Sequence, residues 1–345
     1  MRKLVSIQKI NAIEPIPNAD AIELVKILGW KCVAKKGEFK PGDLCVYFEV
    51  DSFLPIDDER YAFLKNSSYK KNEIMGEGYK IRTQKFRGCL SQGLALPLSS
   101  FPELQNYELD GIEIDTDISE LLGVVKWEMP EITGNAGTSI GEKPFGIPTT
   151  DETRVQSIDE LRLQLCGKPY YISTKMDGTS CTIYCINGKV GVCGRENEYK
   201  NDDKCAMWDY AIKNDIPNKL LSLNRNIVLQ GEFCGPKIQK NRLQLKNYNW
   251  YVFNILDGDT MKLLPVSEML KICEDLGLTH VPIEETGDSF NYTLSELLER
   301  AKGKYPSGQN KEGIVVRPTI PEYCPTLHKS LSFKVLNNDF LLKEK

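Results

Sequence analysis

The sequence lacks any stretch of about 18 uncharged apolar residues, so a membrane-spanning helix is not expected. Its start, Met1-Arg2-Lys3-Leu4-Val5-Ser6-Ile7-Gln8-Lys9, is broken by charge before an apolar signal core can form. Histidine is scarce: with only His280 and His328, a Ser/His/Asp triad or a multi-histidine metal centre would be built from very little. None of the eleven cysteines forms a Cys-x-x-Cys pair. Odd in number and scattered, they read as small buried hydrophobes of an intracellular, reducing compartment, cytoplasm and nucleus being indistinguishable, and neither disulfides nor structural zinc are expected. Internal repeats and low-complexity tracts are also lacking. Excess positive charge is missing too, since the net charge is −4 and the isoelectric point near 5.6.

What is present is ordinary globular material: 345 residues, 41% hydrophobic and 27% charged, enough to bury a large core and to divide into two domains. Polyanion binding depends on local rather than total charge. From Lys65 to Arg87 seven basic residues, Lys65, Lys70, Lys71, Lys80, Arg82, Lys85 and Arg87, face only Glu73 and Glu77, a local +5. A second cluster, Lys237, Lys240, Arg242 and Lys246, interleaves with Tyr248, Trp250 and Tyr251. Either cluster alone is equally well read as a solvated face.

Residues 1–125 read as short strands between turns, with apolar or alternating runs at Leu44–Val50, Tyr79–Thr83 and Gly93–Leu98 and a turn at Lys40-Pro41-Gly42-Asp43. Residues 126–150 carry Pro130, Gly134, Gly137, Gly141, Pro144, Gly146 and Pro148 with little periodicity, the composition of a linker. Residues 151–345 mix strands, at 182–185, 227–229, 250–255 and 314–316, with helices. One helix is expected to start from Ser267 as N-cap and stop at Gly277. Another opens with the capping box Thr293-x-x-Glu296 and ends near Gly303.

The sharpest local feature is Lys175-Met176-Asp177-Gly178, after the apolar run Tyr170-Tyr171-Ile172. Lys-x-Asp-Gly arises by accident in roughly one chain in ten of this length, and alone it is a lysine beside a turn. An ordered set follows it: Gly194-Arg195-Glu196-Asn197, Leu229-Gln230-Gly231-Glu232-Phe233, Tyr251-Val252-Phe253-Asn254, Lys311-Glu312-Gly313-Ile314-Val315-Val316-Arg317-Pro318 and Ser332-Phe333-Lys334. The set resembles the lysine-nucleotidyltransferase superfamily of ligases and capping enzymes. The likeness is greatest to ATP-dependent RNA ligases with a leading OB-type module, which residues 17–24, 42–48 and 91–94 resemble.

The resemblance implies an α+β architecture, an OB-like β-barrel at 1–125 followed by an α/β adenylyltransferase domain at 151–345. It also implies sealing of 3′-hydroxyl and 5′-phosphate ends, in nicked duplex, by a monomer acting on RNA or an RNA-containing duplex. Lys175 would attack the α-phosphorus of ATP and carry AMP. Asp177, Glu232 and Glu312 would hold Mg2+ or Mn2+, Glu232 also touching the nucleotide. Lys334 would neutralise the α-phosphate, Arg154 the phosphates beyond it, and Arg195 the ribose or the 5′-phosphate end, while Phe253 and Val315 would sandwich the base. Lys80, Arg82, Lys85, Arg87 and Arg317 would hold nucleic acid.

Elementary chemistry agrees. A lysine amine is protonated at neutral pH, so a lysine nucleophile needs burial, neighbouring cations or a metal. The bland readings are strand-end charges for the carboxylates and for Arg195, an ion pair with Asp151 or Glu152 for Arg154, and core packing for Phe253 and Val315. One departure stands out, because the superfamily's last motif is commonly Lys-x-Lys and here reads Ser332-Phe333-Lys334. Lys329 or Arg317 would supply the missing charge. Only eleven residues follow Lys334, too few for a trailing OB module, so the smaller module is expected to come first. A capping-type guanylyltransferase and a non-catalytic RNA-binding protein are the competing functions.

Overall fold

The computed structural model describes every residue except 1, 105–112, 129–136, 145, 203 and 344–345. It divides into two compact units, one containing Met1–Pro130 with Gln156–Asp159, the other Glu131–Val155 with Glu160–Lys343. Part of the expected linker, 129–136 and 145, lies outside the described residues.

The first unit is built of short strands: β1 (Val5–Lys9), β2 (Ala12–Pro15), β3 (Ile22–Ile27), β4 (Trp30–Lys35), β5 (Leu44–Phe48), β6 (Ser52–Pro55), β7 (Tyr69–Asn72), β8 (Gly76–Lys80), β9 (Gln84–Phe86), β10 (Cys89–Ser91), β11 (Leu94–Pro97) and β12 (Val125–Lys126). They form antiparallel sheets ordered β1-β5-β11, β2-β3-β4 and β12-β6-β8-β7, with β9 and β10 as a separate ribbon. The unbroken apolar run of β5 follows from burial on both faces. Val46 and Phe48 enter one core with Leu54, Tyr61 and Phe101, while Cys45 and Tyr47 enter another with Val25, Trp30 and Phe39. The expected strand at Tyr79–Thr83 ends at Lys80. Residues 156–159, expected in the second domain, belong here: Gly29 N–H donates to the Gln156 carbonyl at 2.9 Å, and the Ser157 hydroxyl to Glu49 at 2.6 Å.

The second unit holds β13 (Ser139–Glu142), β14 (Thr153–Arg154), β15 (Tyr170–Lys175), β16 (Thr179–Ile186), β17 (Lys189–Cys193), β18 (Asn197–Tyr199), β19 (Ile227–Cys234), β20 (Asn249–Asp257), β21 (Ile283–Gly287), β22 (Gly313–Pro318), β23 (Tyr323–Cys324), β24 (Lys329–Ser330) and β25 (Phe333–Leu336). Two sheets carry it, ordered β13-β18-β17-β16-β19-β20 and β14-β25-β22-β15-β21. The stretch read as linker contributes β13, which pairs with β18. Helices Ala206–Lys213, Ile216–Ser222 and Val266–Leu276 bury Trp208, Leu220 and Met269 in the core that also holds Ile183, Leu229 and Val252 of the six-stranded sheet. The last of these helices starts at Val266 behind Pro265 and has no side-chain cap, so Ser267 is inside the helix and not its N-cap. Its stop is the left-handed Gly277. The capping box of Thr293 and Glu296 is present, and that helix ends at Arg300.

All eleven cysteines are free, nine of them buried. Burial pushes the thiols of Cys45 and Cys193 up to about 12, so they behave as small hydrophobes. No helix among the described residues is long and apolar enough to cross a membrane.

Candidate active site

Strand β15 ends at Lys175, opposite Gly313 of β22. The chain turns through Met176-Asp177-Gly178 and enters β16 of the other sheet, where Ser180 lies opposite Glu232 of β19. Lys-x-Asp-Gly is therefore the point at which the chain leaves one sheet for the other, and this brings Lys175 and Glu232 together. A Cβ at position 178 would collide with the Phe233 carbonyl. Glycine lets β19 pass this close, and its N–H donates to Glu232 Oε1 at 3.0 Å. Gly313, at φ +154°, has no room for a Cβ against the Val335 carbonyl, and it sets Glu312 at the head of β22.

Register does the rest. Arg154, Lys334, Val315 and Ser173 occupy one rung across β14, β25, β22 and β15. Opposed residues share a face, as do residues two apart, so Lys175 faces the same side as Ser173, Val315, Lys334 and Arg154.

The Lys175 amine donates to Glu312 Oε2 at 2.8 Å. Burial pulls its pKa down, but Glu312, Glu232 and Asp177 together carry it above the ordinary lysine value. Burial, with Glu312 adding repulsion, pushes Glu232 up to about 7 against the pull of Lys175, and burial and Glu312 also raise Asp177. Lys334 moves the other way, since burial and the nearby charges of Lys175 and Arg154 bring it down to about 7. The site thus crowds three carboxylates and several cations together, a set of groups suited to a polyphosphate and a hard metal.

Asp177, Glu232 and Glu312 offer the oxygen donors such a metal prefers. Among the described residues no group of three or more His, Cys, Asp or Glu closes around a metal. A metal held by these carboxylates would complete its shell with water or phosphate oxygens.

Other expected residues are placed as follows. Arg195 donates to Asp151, so Asp151 is engaged by Arg195, and Glu152 by Arg317 at 2.7 Å. Arg154 is buried, 8% exposed. Phe253 of β20 lines a cleft with Tyr171, Met269, Arg317 and Leu331, and Lys175 is not part of its lining. Val315 is buried, 7% exposed, on the face that carries Lys175.

Arg317 requires correction as a nucleic-acid contact. It is 6% exposed, held by Glu152 and by Ser332 Oγ at 2.9 Å, with its guanidinium 5.9 Å from the Phe253 ring. It is a wall of the cleft, and its charge sits at Ser332, where the family's first lysine would be. Lys329 instead donates to the Asp151 carbonyl. In the first unit, Lys80 lies 3.7 Å from Asp51 and over the Trp127 ring, and Arg82 donates to the Ser67 carbonyl at 3.0 Å. Lys85 and Arg87 are exposed on the β9–β10 hairpin, whose two-residue turn is Arg87-Gly88, both at positive φ.

Three residues escaped the sequence reading of the site. The Tyr305 hydroxyl donates to the Lys175 carbonyl at 2.7 Å and accepts from Glu312 N–H at 3.0 Å, fastening the two strand ends to each other. Glu284 accepts from the Thr174 hydroxyl at 2.7 Å and from Lys311 at 2.5 and 2.7 Å, tying the residues that precede Lys175 and Glu312. Arg242 donates to Asp177 Oδ2 at 2.5 Å. Nothing in the spacing of Tyr305 or Glu284 marks them. Arg242 stood out only as part of a basic cluster.

An OB-fold domain family model matches residues 4–98, and an RNA ligase family model matches residues 168–336. No curated protein matches the chain. Among solved structures, the Naegleria gruberi RNA ligase with PPi is 36% identical, covers 100% of this chain and 99% of its own, and superposes with a TM-score of 0.90. A mutant of that ligase with ATP and Mn is 36% identical, with 99% of each chain covered and a TM-score of 0.90. Another mutant, with AMP and Mn, gives the same values.

Proposed function

The chain belongs to the RNA ligase family, and on that premise we propose that it seals nicked, RNA-containing duplexes through a covalent lysyl-AMP. It is an ATP-dependent ligase, a two-part protein with an OB-fold module before the ligase domain. The observation that carries the finer reading is the meeting of Lys175, 2.8 Å from Glu312, with Glu232 on one side and the Lys334–Arg154 rung on the other.

In the first step the Lys175 ammonium loses a proton to solvent, its nitrogen bonds the α-phosphorus of ATP as the bond to the bridging oxygen breaks, pyrophosphate leaves, and a second proton passes from nitrogen to solvent. Lys334 faces the α-phosphate and Arg154 the phosphates beyond it, while the base rests on Phe253, with Val315 across from it. Arg317 stands in for the lysine replaced by Ser332. Arg195 turns to the ribose or to the 5′-phosphate end. Mg2+ or Mn2+ at Asp177, Glu232 and Glu312 supplies charge neutralisation of the triphosphate and favours the free amine. AMP then passes to a 5′-phosphate, and a 3′-hydroxyl attacks that phosphate and releases AMP. Such chemistry rests on positioning and charge stabilisation, which suits a site rich in Lys, Arg and carboxylates and without histidine. Lys85 and Arg87, exposed on their hairpin, with Lys80 and Arg82 beside it, hold the duplex backbone. One chain supplies every residue named, which suits action as a monomer, and the free thiols suit a reducing intracellular setting.

The test is incubation with labelled ATP or GTP and then with a nick bearing RNA or DNA separately on each side. Label from ATP on Lys175 and sealing lost in Lys175→Ala support the reading. Label from GTP alone would make the protein a capping-type guanylyltransferase, and undiminished sealing by Lys175→Ala would make the second unit non-catalytic.

A further inference from the structure

Of the second basic cluster only Arg242 belongs to the site. Between Glu232 and Asp257 the chain has no acidic residue, yet it carries Lys237, Lys240, Arg242 and Lys246. The three lysines are exposed and form no ion pair among the described residues. Some exposed lysines elsewhere are matched, as Lys71 is by Glu77, Lys213 by Asp209 and Lys271 by Asp275, and others are not; here four basic residues follow one another with no acid from 233 to 256. Within this loop Arg242 is paired with Asp177, while the three lysines carry no ion pair among the described residues.

The loop is firmly anchored beside the chemistry. Arg242 reaches Asp177 at 2.5 Å, its guanidinium 4.1 Å from the Phe340 ring, and its carbonyl accepts from the Ser307 hydroxyl at 2.5 Å. Leu243 and Leu245 pack in the cluster that contains Met176, the residue after Lys175. Asn241 closes the loop on itself, its amide donating to the Leu245 carbonyl at 3.0 Å and its oxygen accepting from Leu245 N–H at 3.1 Å. Lys237, Gln239, Asn241 and Gln244 all adopt positive φ, which residues other than glycine hold only when their surroundings fix them. The loop is thereby tied near its middle, through Arg242, to the carboxylate beside the nucleophile, and carries exposed lysines on both sides of that tie.

We propose that Lys237, Lys240 and Lys246 form a second nucleic-acid surface, binding the phosphodiester backbone of the strand whose end enters the site. This inference rests on the ligase reading above. Ammonium groups are suited to phosphates as point charges, and a protein-bound loop without acids matches a polyanion. The surface positions a strand and reads no bases. ATP alone has no need of it, so self-adenylylation should be indifferent to it and sealing should not.

The test compares wild type, the triple variant Lys237→Ala/Lys240→Ala/Lys246→Ala, and the charge-preserving triple arginine variant. Lysyl-AMP formation from ATP is measured first. Then KM for a nicked duplex with RNA on the 3′-hydroxyl side is measured at several salt concentrations. The alanine variant should form lysyl-AMP at the wild-type rate, which also reports that it is folded. Each phosphate neutralised on a duplex contributes about 0.9 to the slope of log affinity against log salt. Three lysines contribute about 2.7, so between about 50 and about 200 mM salt the wild type should lose about 40-fold more affinity than the alanine variant. The arginine variant should keep the wild-type slope. An alanine variant with unchanged KM and salt slope would overturn the proposal while leaving the ligase reading intact. Failure of the wild type itself to form lysyl-AMP would remove that reading and this inference with it.

Discussion

Replacing Lys334 with methionine should stabilise the nucleotide-free protein while abolishing sealing. Lys334 sits on β25, between Arg154 and Val315 in the rung, and burial with the charges of Lys175 and Arg154 lowers its pKa from 10.5 to about 7. Below pH 7 the side chain is protonated in both folded and unfolded states, and the fold bears the full cost of keeping that cation. At about 1.4 kcal/mol for each tenfold change in proton affinity, the cost is about 5 kcal/mol. Above pH 7 the folded lysine is neutral while the unfolded one stays charged until 10.5, so the cost shrinks to about 3 kcal/mol at pH 8.5 and vanishes toward 10.5. Methionine removes it at every pH. Calorimetric scans without nucleotide should therefore show the ligase-domain transition of Lys334→Met about 10–20 °C above wild type at pH 6, with the gap closing as pH rises. Pyrophosphate or ATP should raise the wild-type transition and leave the variant's nearly unmoved. A variant that melts below wild type at pH 6, or a gap that does not narrow toward alkaline pH, would refute the reasoning.

Tyr305→Phe removes one hydroxyl and makes no cavity, yet leaves the Lys175 carbonyl and the Glu312 N–H without their shared partner. Single-turnover adenylylation should slow by about 10- to 100-fold, with KM for ATP little changed. Glu232, pushed up to about 7 by burial, must lose its proton to bind a cation. Apparent Mn2+ affinity, read by calorimetry, should thus fall about tenfold per pH unit below 7 and level off above it, and Glu232→Gln should abolish this dependence. Arg317→Ala removes the guanidinium that Glu152 holds at 2.7 Å and leaves it Ser332 and the charge of Lys329, so thermal melting should show a loss of about 1–3 kcal/mol, with Arg317→Lys restoring part of it.

The residues proposed for the chemistry stand out as a group because each lies in a segment whose order along the chain is unusual, and because Gly178 and Gly313 mark positions where backbone passes backbone. The strands were legible where both faces are buried, as in Leu44–Phe48 and at 227–229, the first three residues of Ile227–Cys234. The helix start at Val266 was misplaced because Ser267 is a good cap by residue type, whereas Pro265 already sets the entry geometry. Arg317 was misassigned because a charged residue at the end of an apolar strand reads as exposed, and its partners Glu152 and Ser332 lie 165 and 15 residues away in sequence. Tyr305 and Glu284 had no local signal at all, since their work is done by contacts across the fold.

The most direct test of the account is the intact mass of the protein after incubation with ATP and magnesium, followed by peptide mapping. The account predicts the gain of one adenylyl group on Lys175, stable to base, labile to acid and discharged by a nicked duplex. No adduct, or an adduct on any other residue, would contradict it.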